Sequence, residues 1–597
     1  MNASIRRPLT ADEQNKLGAF SPVLSHLLYH RGITDAETAN DFIAPDYDRD
    51  SHDPFLLKDA EKSADRIIRA IKEGEKIAVY SDYDADGIPA AAMFNDFFRR
   101  IGYSNFIIYI PHRHNEGFGL NISAIEELAE KKADLVITLD CGISDIEPVK
   151  RANELKMQVI ITDHHEPPAE LPPAFAIIDH KQSDCAYPDK GLCGTGVGYK
   201  LIQAIIKKSK ESNRSNRSNQ KATIAYENLV NWKEGMEKWL LDLVGMATLS
   251  DMVPLMGENR AFAHYGLQVL RKSPRKGLVR LPSKLKINQR YLTEDDIAFM
   301  ITPRINAASR MGVPMDAFHL LAADTDDDAD TYANHLDEIN NERKGVVASL
   351  VKEVKKTVNE RHGDSVPSVI VLGNPEWKPS LLGLAANSCA EAFNRPVFFW
   401  GRDGENLIKG SCRSEGSSNV VEIMRAVPIG VFTQFGGHKY SGGFGVSNES
   451  VHFLEQRLNE AIEKIINSKS ETDSNIEMGN DDMIDMELSL NDVDWNFYND
   501  IAKLAPFGVG NPKPTFIFRQ VAPTNVRIFG KGNEHIELTF KNKKGAKIPA
   551  ISFFGISEKW ADAVHANKPI DLIASIEKSM FRGRPELRLR VVDVLYS

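Results

Sequence analysis

Five aspartates and two histidines fall in three short runs whose residue types and spacing suit metal-assisted phosphoryl chemistry: Asp82-Tyr83-Asp84-Ala85-Asp86-Gly87, Asp140-Cys141-Gly142 and Asp163-His164-His165. Carboxylates at i, i+2 and i+4, with another carboxylate and imidazoles nearby, repel one another unless cations lie between them. Carboxylates mixed with one imidazole suit Mn2+ or Mg2+ better than a thiolate-seeking ion. Two such ions about 3.5–4 Å apart polarise a phosphoryl oxygen, generate hydroxide and stabilise a leaving oxygen, so the reaction class is phosphoester hydrolysis. Taken singly, each run has a plainer reading. D-x-D-x-D-G is often a turn or a calcium loop, and paired histidines at a strand end are usually surface residues. The first run lacks the later glutamate of an EF-hand and follows an apolar strand, and only the conjunction of all three favours metal.

The elements that must position these runs are legible. Apolar, β-branched segments at 76–81, 105–110, 134–139, 158–162 and 175–179 alternate with helical stretches such as 87–100 and 121–132, as in a parallel α/β sheet. The acidic runs follow three of these strands, and an open parallel sheet gathers ligands at its strands' carboxyl ends. A polar helix over about 327–360 would span ~50 Å at 1.5 Å per residue and can join two lobes. Residues 367–446 repeat an α/β pattern with a glycine-rich end, and 514–597 show short strands that suit a small β-barrel. The fold class is therefore α/β and multidomain. The expected boundaries are an N-terminal helical segment 1–60, a catalytic domain 61–275 carrying a basic loop 207–221, a connecting helical region 276–360, a second α/β domain 361–465, an acidic linker 466–490 and a barrel 491–597.

Composition narrows the class. A chain of 597 residues with 42% hydrophobic and 26% charged residues is globular and holds several domains. Its five cysteines form no C-x-x-C pair, so neither a disulfide framework nor a cysteine zinc site is readable. The N-terminus lacks an apolar leader core and no run is long enough for a membrane helix, so the expectation is a cytoplasmic protein with no membrane partner. Net charge is −10, yet residues 511–597 carry 15 Lys and Arg against 8 Asp and Glu. An acidic body with a basic end is compatible with a nucleic-acid enzyme.

Many ordered segments carry a resemblance to a known family: GEKIAVYSDYDADG (74–87), PHRHNEGFGLN (111–121), TLDCGIS (138–144), ITDHHEPP (161–168), CGTGVGYKL (193–201), ATLSDMVPLMGENR (247–260), PRINAASRMG (303–312), GSCRS (410–414), FGGHKYSGGF (435–444) and APFGVGNPKPTF (505–516). The chain resembles the RecJ exonucleases of the DHH phosphoesterase superfamily nearly end to end. That resemblance implies a DHH domain, a DHH-associated domain and a C-terminal OB-fold. It also implies a single-stranded-DNA-specific exonuclease working 5′→3′ in repair and recombination, alongside a helicase and a single-strand-binding protein; a monomer is the expectation, which nothing in the sequence fixes.

The resemblance further implies that Asp82, Asp84, Asp86, Asp140, His164 and Asp251 hold two divalent ions, Asp140 bridging them. Asp82 and Asp84 would serve one ion; Asp86, His164 and Asp251 the other. His165 would contact the scissile phosphate, with Asp163 orienting an imidazole beside it. Arg113 is a candidate grip on a terminal 5′-phosphate, because a guanidinium binds phosphate bidentately. Arg304, Asn306 and Arg310 would line the cleft between lobes, and Ser411, Arg413 and a Gly436-Gly437-His438 turn would touch substrate. Phe516, Phe518, Phe540, Phe553 and Phe554 are potential base platforms, most of them expected in the barrel core. Two departures stand out: Ile88-Pro89-Ala90-Ala91-Ala92 lacks the usual hydroxyl residues, and Trp377-Lys378-Pro379-Ser380 replaces Trp-His-Pro-Gly. The rival readings are a phosphodiesterase of short oligonucleotides or cyclic dinucleotides, and a non-catalytic replication scaffold.

Overall fold

The computed structural model describes residues 4–215, 223–363, 365–404, 406–415, 418–469, 483–530, 535–553, 565–580 and 584–595. The chain forms two compact units, one of residues 52–251 and 266–476, the other of residues 1–51, 252–265 and 477–597.

The larger unit opens with a five-stranded parallel sheet in the order β2-β1-β3-β4-β5: β1 Ile77–Ser81, β2 Phe106–Tyr109, β3 Leu135–Leu139, β4 Gln158–Thr162 and β5 Ala176–Ile178. Strands β1 and β3 are wholly buried, which is why they read as continuous apolar runs. The helix Gly87–Ile101 follows β1 directly, with Pro89 in its first turn, where a missing N–H costs nothing. Its Phe94, Phe97 and Phe98 are fully buried.

A second sheet has the order β6-β7-β8-β10-β9: β6 Ile370–Gly373, β7 Val397–Arg402, β8 Ile408–Arg413, β9 Phe432–His438 and β10 Ser441–Val446. Only its β6–β7 pair is parallel. The helix Asp326–His362, 37 residues long, carries Leu350, Val354 and Val358 into a core with Ile370, Leu372 and Phe399. The second half of the connector is thus part of the second lobe's core. The expected basic loop is different too: the chain stays helical through Gly194–Ser215, where Lys207 pairs with Asp53 and Lys208 with Glu61. The rest of that expectation, 216–221, lies outside the described residues, as does 470–482 of the acidic linker.

The smaller unit contains a seven-stranded mixed sheet, β11-β12-β16-β17-β15-β14-β13: β11 Met486–Glu487, β12 Phe516–Val521, β13 Asn525–Phe529, β14 His535–Lys541, β15 Lys547–Phe553, β16 Ile570–Ser579 and β17 Glu586–Leu595. Its core includes Phe516, Phe518 and Phe540, together with Leu17, Leu24, Leu27 and Leu28 from the N-terminal helices. The expected separate segment 1–60 is therefore divided: its first 51 residues complete the core around this sheet. The N-terminal leucines sit at helical spacing and need an apolar partner, which the strand phenylalanines supply. Among the described residues no helix is long and apolar enough to cross a membrane.

Candidate metal and phosphate site

The strand ends converge as the parallel order requires. Asp82 follows β1, Asp140 follows β3 and Asp163 follows β4, while Asp251 caps the C-terminal end of the helix Leu241–Ser250. Donor atoms of Asp82, Asp84 and Asp140 lie within 4.8 Å of one another, as do those of Asp86, His164 and Asp251, and those of Asp140, His164 and His165. His164 Nε2 stands 3.2 Å from Asp140 Oδ1, 3.8 Å from Asp251 Oδ2 and 3.9 Å from Asp86 Oδ2.

The acidic loop is held by its own backbone and by its neighbours. Asp84 Oδ1 accepts from the N–H groups of Asp86 and Gly87, and Asn306 Oδ1 accepts from the Ala85 N–H at 2.9 Å. A Cβ at Gly87 would strike the Asp82 carbonyl, so only glycine lets the strand turn into its helix there. The Asp86 carboxylate takes the N–H groups of Gly194 and Thr195 at 2.6 and 2.8 Å, the first turn of the helix Gly194–Ser215. Helix N-termini favour a negative charge at that place. This cradle was missed by residue-type reasoning, although the glycines of CGTGVGYKL were its signal.

Charge balance tests whether the residues fit cations. Asp82 Oδ1 and Asp140 Oδ1 are buried without a hydrogen-bond partner. Burial and then the neighbouring carboxylates, Asp84 for Asp82 and Asp86 for Asp140, push both carboxyls well above the usual range. Burial and Asp86 push the Asp251 carboxyl up to about 9. Burial lowers His164, favouring the neutral imidazole that can ligate. Orphaned oxygens, mutual repulsion and a neutral imidazole together fit hard divalent cations.

Asp163 differs from the other carboxylates. Burial would raise its pKa, but His165 and the Ile143 N–H outweigh that and hold it low. Its Oδ1 accepts from His165 Nδ1 at 2.7 Å and from the His164 N–H, while Oδ2 accepts from the Ile143 N–H. Burial works against the His165 cation, yet the bond to Asp163 raises that imidazole to about 9.

The basic candidates divide. Arg113 lies over the Tyr83 ring at 4.9 Å and makes no ion pair with a carboxylate among the described residues. Arg310 donates to the Ser380 carbonyl at 2.9 Å, and its own carbonyl accepts from Ser380 Oγ and lies 3.1 Å from His114 Nε2. Ser380, in the departure from Trp-His-Pro-Gly, therefore ties the two lobes of this unit together. Burial and the cations Arg113 and Arg343 bring Arg310 down to about 10, while Asp84 opposes them. Arg304 does not line an open cleft: it is buried, bound through Nε and a terminal nitrogen to Asp337 and through the other to the Met300 carbonyl. Asn306 acts on the acidic loop through Ala85. Ser411 and Arg413 lie on β8. Gly436, Gly437 and His438 form no turn: they end β9, facing Gly443, Gly442 and Ser441 of β10, and the chain turns after them at 439–440. Gly437 has φ 144°, and a Cβ there would strike the Ser441 carbonyl.

In the smaller unit Phe516, Phe518 and Phe540 are buried, and Phe554 lies outside the described residues. Phe553 is half-buried beneath the guanidiniums of Arg590 at 4.5 Å and Arg588 at 5.6 Å.

Comparison with known proteins places these parts in order. The family model "DHH family, N-terminal domain" matches residues 76–227, "DHHA1 domain" 366–470 and "RecJ OB domain" 484–593. The chain is 30% identical to the single-stranded-DNA-specific exonuclease RecJ of Bacillus subtilis, over 100% of this chain and 71% of that one. It is 28% identical to the protein of that name from Haemophilus influenzae, over 90% of this chain and 91% of the relative. The crystal structure of RecJ in complex with Mn2+ from Thermus thermophilus has the same fold, with a TM-score of 0.76 at 23% identity over 100% of this chain and 79% of that one. A crystal structure of exonuclease RecJ bound to manganese matches at 26% identity and TM-score 0.55, over 72% of this chain and 98% of that one.

Proposed function

The chain belongs to the RecJ family of DHH exonucleases, and on that premise we propose that it digests single-stranded DNA from the 5′ end, releasing 5′-mononucleotides by metal-dependent phosphodiester hydrolysis. The observation that carries this reading is the buried strand-end cluster with two orphaned carboxylate oxygens, Asp82 Oδ1 and Asp140 Oδ1. Asp82, Asp84 and Asp140 would hold one divalent cation, and Asp86, His164 and Asp251 a second, with Asp140 shared. Bound Mn2+ or Mg2+ supplies charge neutralisation at the phosphoryl group and an activated water.

The protein's own groups do the rest. His165, held through Nδ1 by Asp163, presents its Nε2 side to the scissile phosphate as a cationic donor. Arg113, Arg310, Ser411 and Arg413 grip the 5′-terminal phosphate, with the β9 end Gly436–His438 beside it. Arg304 anchors its helix to the long helix through Asp337 and holds the wall of the cleft. Asn306 fixes the acidic loop. The basic C-terminal sheet, with Phe529 and Phe553 as half-buried aromatics under arginines, binds single strand. We place the enzyme in repair and recombination, behind a helicase and beside a single-strand-binding protein, on the strength of the family resemblance, and in the cytoplasm, as a monomer, as the simplest assignment.

The test is digestion of end-labelled single- and double-stranded DNA with Mn2+. The expected result is mononucleotide release from the 5′ end of the single strand alone. No degradation would return the scaffold reading, and digestion restricted to oligomers of a few nucleotides would return the short-oligonucleotide reading.

A further inference from the structure

Beside the site just described, the long helix Asp326–His362 and the helix Pro379–Phe393 flank an open groove of about 810 Å3. Its lining includes Arg343, Lys344, Lys352, Lys355 and Arg413, and contains no Asp or Glu. Lys344, Lys352 and Lys355 recur at i, i+8 and i+11, which puts them along one face of the long helix. None of the five cations pairs with a carboxylate among the described residues. Arg343 Nε is buried without a hydrogen-bond partner. Burial and the nearby Arg304 cation both lower the pKa of Arg343.

Arg413 is built into this groove. An Arg413 terminal nitrogen would stand 2.8 Å from a Cβ at Gly383, so the guanidinium lies against the helix at this glycine. Arg310 stands between the acidic loop and the groove: it is one helical turn from Asn306, which accepts from the Ala85 N–H of that loop, and it donates to the Ser380 carbonyl in the first turn of the helix that walls the groove.

If Arg113, Arg310 and Arg413 hold the 5′-terminal phosphate, the body of the strand runs the other way, past the carboxylates. The groove then cannot serve the strand's backbone. It can serve only what lies on the outer side of that phosphate. We propose that it is a subsite for further phosphate groups there, belonging either to a 5′-triphosphate end or to the released nucleotide as it leaves. This rests on the 5′→3′ reading. Hydrolysis of the first phosphodiester of a 5′-triphosphate strand adds the water hydroxyl to phosphorus, breaks the P–O3′ bond and delivers the proton to O3′. A nucleoside 5′-triphosphate departs, and the shortened strand carries a 5′-monophosphate.

The test compares the full chain with Lys344→Ala/Lys352→Ala/Lys355→Ala, a variant that leaves Arg343 and Arg413 in place. Single strands bearing a 5′-mono- or 5′-triphosphate are digested with Mn2+, and inhibition by added 5′-mononucleotide is measured. A tenfold or greater loss of kcat/KM on the triphosphate strand, with the monophosphate strand within twofold, assigns the groove to polyphosphate ends. A tenfold rise in the mononucleotide inhibition constant without that selectivity assigns it to product. Recovery in the triple Lys→Arg variant marks the effect as one of charge rather than of folding. Both quantities within twofold of the parent overturn the subsite. Failure of the parent to release nucleotides from the 5′ end of the monophosphate strand overturns the polarity instead, before any variant is compared.

Discussion

Replacing Gly194 with alanine should cost about two orders of magnitude in turnover although residue 194 has no side chain to act in the reaction. The new Cβ would stand 2.5 Å from both Cβ and Oδ1 of Asp140. Carbon atoms in contact keep about 3.5–4.0 Å, so relief requires a relative shift of about 1 Å. The backbone of Asp140 has little freedom to give it: φ is 61°, and its N–H is bonded to the Thr162 carbonyl at 3.0 Å. Nor can the helix start retreat freely, since the Gly194 and Thr195 N–H groups hold Asp86. The shift therefore falls on the relation between Asp140 and Asp86, the carboxylates assigned to the shared and second cation positions. A displacement of about 1 Å costs ~10²-fold in rate, about 2.7 kcal/mol in the barrier. The control is Gly196→Ala in the same turn, where the added Cβ meets Leu192 Cβ at 3.6 Å and Cys193 Sγ at 3.7 Å, ordinary contacts. Nucleotide release from labelled single strands at saturating Mn2+, with Mn2+ affinity from calorimetry, gives the comparison. If Gly194→Ala stayed within threefold of Gly196→Ala in both, the packing argument would be refuted.

Four further outcomes follow from the same geometry. Asp140→Ala should abolish hydrolysis while single-strand affinity, measured by fluorescence anisotropy, stays close to the parent value; substantial residual turnover would contradict its shared position. Asp163→Asn, which leaves one acceptor oxygen where two now serve His165 and Ile143, should lower activity about 10–100-fold, the size of effect seen when the group that orients a working imidazole is lost; a rate unchanged within twofold would remove Asp163 from the scheme. Chelation should lower the thermal midpoint and Mn2+ should restore it, by about 2.7 kcal/mol when the ion is at a hundred times its dissociation constant; a melt indifferent to both would deny the carboxylates their cations. Truncation of residues 491–597 should give an aggregating protein, because Leu17, Leu24, Leu27 and Leu28 lose their cover at about 1.5–3 kcal/mol each; a monodisperse product by light scattering would show that the N-terminal helices need no such partner.

What the sequence discloses here depends on how far a residue's partner lies along the chain. The acidic runs were legible because a parallel sheet obliges its strands' carboxyl ends to meet, so local apolar runs at 76–81, 134–139 and 158–162 carried global information. Asp251 was within reach only through family resemblance. It ends a helix buried over nearly its whole length, and no periodicity marks its last residue as a ligand. Arg304 reads as a cleft cation because Asp337, its partner 33 positions on, looks like any other charge on a polar helix. The same holds at larger scale for the N-terminal leucines, whose helical spacing announces an apolar partner without naming strands some 490 residues away. Glycines divide along the same line. Gly87 and Gly194 are each fixed by the approach of one particular aspartate, whereas Gly437 is fixed by the strand opposite, a pairing that the local sequence does not distinguish from a turn. A residue type that is cheap locally hides its reason; one that is costly, such as the helical glycine at Gly277, where a Cβ would strike the Leu320 carbonyl, points to a neighbour that the sequence alone does not name.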